Sequence, residues 1–371
     1  MTKDDDFDYW TQQTIAPIEP PKSFLNIETI EGVEPLDDQF AVEHRKTVPE
    51  ALYDLLFSQS VPTAGEITGY GSLEAVPPMK TFAILDAARV TNLAETLETS
   101  GLEHRCLFAG DAYDDLKEAA PWIVQLEDGN TFTRNLFTRS DALWHMWDQE
   151  PGIYIRSRGL LNDLWKHFRK FTRIRDERGK WFYFRFWETG CLIDYIRYAQ
   201  ERDNCDLRFL FGFNTINRSH TLVDAYISTG PDKTQTCSVS QMVGPDARAR
   251  VEIDMPILRF LAVRAHAHGF AESYFEAHGL QANAIVCRKA KDIATHIAQK
   301  YHMLGFKSRY HLGSFTYWVL ALNADFETQS QSIQNELRRT NENSNDRFVR
   351  IARETKSLHG SKIRNYRDFR R

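Results

Sequence analysis

Phe82-Ala83-Ile84-Leu85-Asp86 is a short apolar run, and Thr91, Leu93, Leu97 and Gly101 follow it at the spacing of a capped helix with one apolar face. The unit then repeats. His104 to Phe108 is strand-like, Asp111 opens a helix through Leu116 that Pro121 stops, and Trp122-Ile123-Val124-Gln125-Leu126 ends at the Asp128-Gly129 turn. A helix around Asp141 to Trp147 and the Pro151-Gly152 turn lead to Ile153–Ile155 and to Leu161, Leu164, Trp165 and Phe168 at helical spacing. Strand and helix in alternation predict right-handed crossovers. The expected fold class is an α/β N-terminal lobe, with a mixed, largely parallel sheet flanked by helices, followed by a mainly α-helical C-terminal lobe.

Outward from this segment the texture changes. Thr172 to Asp176, the Glu177-Arg178-Gly179 turn and Lys180 to Trp187 read as a hairpin, placing antiparallel strands at one side of the sheet. Prolines at 17, 20, 21, 35, 49, 62, 77 and 78 interrupt the first 79 residues, where the one helix expected is near Pro49 to Phe57. The expected organisation is a Pro-rich acidic arm over 1–79, an α/β lobe over 80–203, a β-rich connection over 204–254, and a helical lobe with a basic tail over 255–371. Within the connection, Leu207–Phe213, Leu222–Ile227 and Val239–Val243 read as strands. Past Asp254 the stripes are helical: Leu258, Leu261, Ala262 and Ala265; Ile293, Ile297, Tyr301 and Leu304; Phe315, Trp318, Val319 and Leu322; Ile333 and Leu337; then Phe348, Ile351 and Leu358.

Composition excludes some classes. With 371 residues, 42% hydrophobic and 12% aromatic, the chain buries enough apolar surface to offset ordering entropy, so it is not a disordered chain. No run of roughly 18 apolar residues suggests a membrane span, and Met1-Thr2-Lys3-Asp4-Asp5-Asp6 has no secretory pattern, so a cytoplasmic location is expected. Five cysteines without a C-x-x-C pair read as reduced thiols. The formal charge is −5, unevenly spread: residues 1–40 hold ten acids and two lysines, residues 338–371 eleven Lys/Arg and four acids. Such a tail is either a solvated helix end or a contact for an acidic surface or nucleic acid.

No catalytic motif stands out. There is neither a G-x-S-x-G elbow nor a phosphate-binding loop, and Gly69-Tyr70-Gly71-Ser72 reads as a plain turn. His266 and His268 point about 200° apart on a helix and cannot share an ion. No metal and no cofactor are expected. Asp86 is the one acid at the carboxyl end of an apolar strand, where α/β folds place functional groups. It is either a catalytic carboxylate or a buried acid whose charge must be paired, with Arg89 or Arg185 available.

Arg185 lies in Trp181-Phe182-Tyr183-Phe184-Arg185-Phe186-Trp187-Glu188. Period-two alternation puts Phe182, Phe184 and Phe186 on one face and Trp181, Tyr183, Arg185 and Trp187 on the other. The expectation is a strand covered on both sides, with Arg185 paired to Asp86.

These segments resemble a known family. Phe82 to Arg89, Pro121 to Leu126, Gly152-Ile153-Tyr154-Ile155 with the helix through Arg169, and Phe184-Arg185-Phe186-Trp187 are similar, in order and spacing, to type VI secretion effector chaperones, also called Tap/TEC adaptors. The likeness spans about 80 to 328. Where that family has Asp-Pro-Arg after the aromatic strand, this chain has Glu188-Thr189-Gly190. The motif residues carried over are Asp86, Arg89, Phe184, Arg185, Phe186, Trp187 and Glu188. The resemblance implies a cytoplasmic adaptor without enzymatic activity that binds a toxic effector encoded nearby, keeps it soluble and helps load it onto the VgrG spike protein. The partners implied are that effector and VgrG, with no membrane contact.

Two other classes compete: a nucleic-acid-binding protein using the basic tail, and an α/β enzyme centred on Asp86. Nucleic acid is the weaker expectation, because rings on both faces of the aromatic strand point to burial. For cargo contact, Trp10 and Phe24 in the arm and Phe348 and Ile351 in the last helix are the candidates, since apolar groups on peripheral segments need a partner. That partner is either cargo or the protein's own core.

Overall fold

The structure, a computed structural model, describes residues 25–176, 178–200, 207–212, 221–230, 234–239, 254–279, 284–322 and 326–360. Seven of its strands form one sheet: β1 (Leu25–Ile30), β2 (Lys80–Asp86), β3 (His104–Cys106), β4 (Pro121–Leu126), β5 (Gly152–Ser157), β8 (Ala225–Thr229) and β9 (Thr234–Val239), in the order β1-β9-β8-β5-β2-β4-β3. β6 (Arg173–Arg175) and β7 (Trp181–Tyr183) make a separate hairpin. The helices before β8 are α1 (Glu50–Phe57), α2 (Ala64–Tyr70), α3 (Leu93–Ser100), α4 (Asp111–Leu116), α5 (Thr131–Leu136), α6 (Leu161–Phe168), α7 (Cys191–Gln200) and α8 (Arg208–Phe211). After β9 come α9 (Asp254–His278), α10 (Ala284–Met303), α11 (Arg309–Leu322), α12 (Gln331–Arg338) and α13 (Ser344–His359).

The expected largely parallel sheet is wrong. Every strand pair in the sheet is antiparallel. The crossovers themselves are present: β2 and β3, joined through α3, run in the same direction, as do β4 and β5. Each pair leaves one slot between its members. β4 fills the slot between β2 and β3, and β2 fills the slot between β4 and β5, each against the grain of its neighbours. Alternation fixes strand direction but not which strands are neighbours. The apolar runs gave no warning, because β2, β4 and β5 are buried on both faces as parallel strands usually are.

β5 opens on a glycine for a steric reason. Gly152 lies opposite Leu85, and a Cβ there would sit 1.9 Å from the Ile84 carbonyl oxygen. Only a residue without a side chain lets β5 approach β2 this closely.

Residues 25–79, expected as a draped arm, contribute to the main core. β1 is the edge strand beside β9, and Leu25, Val48, Leu52 and Leu56 are buried in the cluster that contains Phe82, Ile84 and Ile155. Two buried arginines of β5 and the turn after it hold this stretch in place. Arg156 donates to Thr81 Oγ1 at 2.7 Å and to the Leu56 and Ser58 carbonyls, while Arg158 binds Glu66 at 2.6 Å and the Pro77 and Ser60 carbonyls at 2.7 and 2.8 Å. Leu207–Phe213, expected as a strand, contains helix α8, because Leu207, Leu210 and Phe211 bury one helical face. Of the strand expected at Val239–Val243 only Val239, the last residue of β9, is described; residues 240–243 lie outside the described residues.

In the helical lobe, Val263, Ala267 and Ala271 of α9 meet Ala290, Ala294 and Ala298 of α10, and these small side chains allow a close helix pair. The buried stripe of α9 is therefore rotated from the expected one: Ala262 and Ala265 are exposed. A second cluster holds Phe270, Ile297, Tyr301, Phe315, Trp318, Phe348 and Ile351. The lobes meet where Phe260 of α9 packs on Tyr195 and Tyr198 of α7, with ring centres 5.4 and 5.5 Å apart. Among the described residues no helix is long and apolar enough to cross a membrane.

Candidate partner-binding site

Asp86 ends β2 fully buried, and both of its carboxylate oxygens are engaged. Oδ2 accepts from Arg185 at 2.6 Å and Oδ1 accepts from the Ala88 amide at 3.1 Å, closing the turn after the strand. Arg185 reaches Glu188 as well, at 3.1 Å. Glu188 in turn lies 3.7 Å from Arg264 of α9, and Arg264 binds Asp194 of α7 at 3.1 Å. Five charged side chains thus connect the end of β2, the start of α7 and the first helix of the C-terminal lobe. Burial would lower the Arg264 pKa, but the carboxylates of Asp194 and Glu188 push it above its ordinary value, so the guanidinium stays charged. The Cys191 thiol between them is pushed by burial up to about 12, which makes it a packed side chain and no nucleophile at neutral pH.

Arg89 turns away from Asp86 and pairs with Glu150 at 3.3 Å. The substitution of Asp-Pro-Arg by Glu188-Thr189-Gly190 has a structural reading. Glu188 holds two arginines, the Thr189 hydroxyl donates to the Gly152 carbonyl at 3.2 Å, and Gly190, at φ +80°, donates its amide to Ser228 at 2.9 Å. Arg264 supplies a cation beside Glu188 and Asp194. The sequence reading missed Arg264; its signal was an arginine next to the apolar positions Phe260, Val263 and Ala267 of one helix.

The aromatic strand is not covered on both sides as expected. Phe184, Phe186 and Trp187 are buried, with Phe186 packed on Phe168 and Phe171, but Trp181 and Tyr183 are exposed by 52% and 42%. The ladder stops at Tyr183, because the Phe186 amide turns back to the Phe184 carbonyl at 2.8 Å and leads the chain into α7. The residues after the hairpin anchor it, and its outer face meets solvent.

Of the expected cargo anchors, Trp10 and Phe24 lie outside the described residues. Phe348 and Ile351 are corrected: both are buried in the helical core, Phe348 stacked between His311 at 4.3 Å and Trp318 at 5.7 Å. Their partner is the protein itself. The large exposed apolar groups sit elsewhere, including Phe40 at 91% and Leu143 and Trp144 on a loop tied to it through Asp38 and His145, 3.1 Å apart.

A family described as a domain of unknown function (DUF4123) matches residues 81–205, about a third of the chain, running from β2 past the end of α7. The matched stretch contains Asp86, Arg185, Glu188 and the whole β6–β7 hairpin, and only Arg264 of the charged network lies beyond it. No curated protein and no solved structure matches the chain.

Proposed function

We propose that the protein is a non-enzymatic adaptor that binds a toxic type VI secretion effector, keeps it soluble and helps present it to the VgrG spike. The observation that carries this reading is the division of labour inside the matched segment. Its buried acid and the arginine that pairs with it are spent on architecture, while Trp181 and Tyr183, the residue types that dominate binding hot spots, face outward on the β6–β7 hairpin. The family match is consistent with this reading, since it falls on the stretch that carries most of the motif likeness.

The enzyme alternative loses ground at Asp86, whose oxygens are held by Arg185 and an amide and which has no exposed surface for a substrate. The nucleic-acid alternative loses ground in the described part of the basic tail. There Arg339 and Arg350 pair with Glu336 and Glu342, and Arg347 is buried. The test is co-expression with toxins encoded beside the gene. The adaptor reading expects one of them to be soluble only in the presence of this chain.

A further inference from the structure

The exposed face of the β6–β7 hairpin carries a repeated pairing. Arg173 lies across the ladder from Tyr183, and Arg175 from Trp181. The Arg173 guanidinium is 5.0 Å from the Trp181 ring centre and 5.8 Å from that of Tyr183, and the Arg175 guanidinium is 5.6 Å from Trp181 while its Nε donates to the Gly179 carbonyl. Phe108, itself buried, packs under Tyr183 at 5.5 Å and leads toward β3, where Arg105 sits 3.4 Å over Trp165 with Arg169 at 4.3 Å. Among the described residues none of Arg105, Arg169, Arg173 and Arg175 has a carboxylate within ion-pair distance. Arg139 and Arg158 each have one, and Arg185 and Arg264 each have two.

We infer that this face binds an acidic polypeptide segment, its carboxylates held by the arginines and its apolar side chains packed on Trp181 and Tyr183. Charge is the first reason. From Lys166 to Arg185 the chain holds eight Lys/Arg against two acids, in a protein whose total charge is −5, so the positive potential is local and suits a short acidic stretch. Ring occupancy is the second reason. The guanidinium groups that lie over the rings carry further N–H donors suited to a carboxylate fork, beside ring surface still exposed for apolar side chains. Stacking also holds each arginine in place before the partner arrives, which lowers the ordering entropy lost on binding.

The inference rests on the adaptor reading only in taking the partner to be a polypeptide. Its test is fluorescence anisotropy with the full chain and two labelled probes, a peptide alternating glutamate with leucine and a single-stranded oligonucleotide. The peptide is expected to bind, to weaken as salt rises, and to lose at least about tenfold in affinity in the double variant Arg173→Glu/Arg175→Glu. Trp181→Ala is expected to weaken it several-fold, with thermal unfolding of both variants unchanged because all three side chains are exposed. Absent peptide binding, binding indifferent to charge reversal, or tighter binding of the oligonucleotide would each overturn the proposal. Peptide binding by a chain that ignores every neighbouring toxin would sink the adaptor reading and leave this one standing. A toxin complex with no peptide binding would do the reverse.

Discussion

The Arg185 guanidinium meets the Asp86 carboxylate at 2.6 Å although the two residues stand 99 positions apart, and the acid is fully buried while the arginine keeps 43% of its side chain in water. This contact ties the end of the central strand to the turn below the aromatic hairpin. Removing the arginine strands a buried charge, which is a larger loss than removing the pair.

Arg185→Met is expected to lower stability by about 2 kcal/mol, less than for a fully buried pair because part of Arg185 is hydrated. Adding Asp86→Asn should recover part of that loss, since the neutral amide no longer needs a cation. Urea unfolding of the two variants checks this. An unchanged midpoint in Arg185→Met means the pair has no structural role.

Gly152→Ala is a steric test of the sheet. Its new methyl would sit 1.9 Å from the Ile84 carbonyl oxygen, backbone against backbone, so the two central strands must separate. A loss of about 3 kcal/mol is expected, the upper part of the range for overpacked cores. Chemical denaturation measures it, and a loss near zero would contradict the close approach of β5 to β2.

In the helical lobe Arg347, 1% exposed, donates to the carbonyls of Leu304, Glu336 and Leu337 at 2.9, 2.9 and 2.8 Å. It closes the ends of α10 and α12 and lies over Phe306 at 4.5 Å. Arg347→Leu leaves these carbonyls without their donor and should cost about 3 kcal/mol. Hydrogen exchange is expected to rise across α12 and α13 while β2 and β5 stay protected. Uniform exchange across both lobes would argue against this local role.

Asp224 predicts a pH effect. Burial beside Glu66 pushes its pKa up to about 7, against the pull of Arg158 and Arg156. An unfolded chain releases that proton near pH ~4, so between ~4 and ~7 the folded state holds more protons and stability falls as pH rises. Asp224→Asn removes this contribution. The melting temperature of the variant should gain on the parent steadily through that window and level off above it. A constant difference between the two would rule out the titration.

Much of this was legible locally and little of it globally. The strands at Phe82, Trp122 and Ile153, the helix over Glu50–Phe57 and the helices at Leu161 and Asp254 follow from apolar spacing and punctuation by Pro, Gly and Asp. The Asp86–Arg185 contact follows from a single requirement, that a buried acid find a cation. Sheet order does not follow, because the pattern of β2 is the same whether β3 or β4 lies beside it. Nor does the orientation of Trp181 and Tyr183: alternation separates two faces but does not say which one is covered, and only the turn at Phe184 leaves theirs in solvent. Arg264 was hidden because nothing in the sequence marks Glu188 and Asp194, some 70 positions away, as acids that need a cation from α9, whereas Asp86 ends an apolar strand.

The most direct test of the central claim, that this chain grips another polypeptide, is size-exclusion chromatography with in-line light scattering. The samples are the purified 371-residue chain mixed in turn with each toxin encoded beside its gene. One toxin is expected to co-elute with it as a complex of defined mass. Separate elution of this chain and every such toxin would contradict the account.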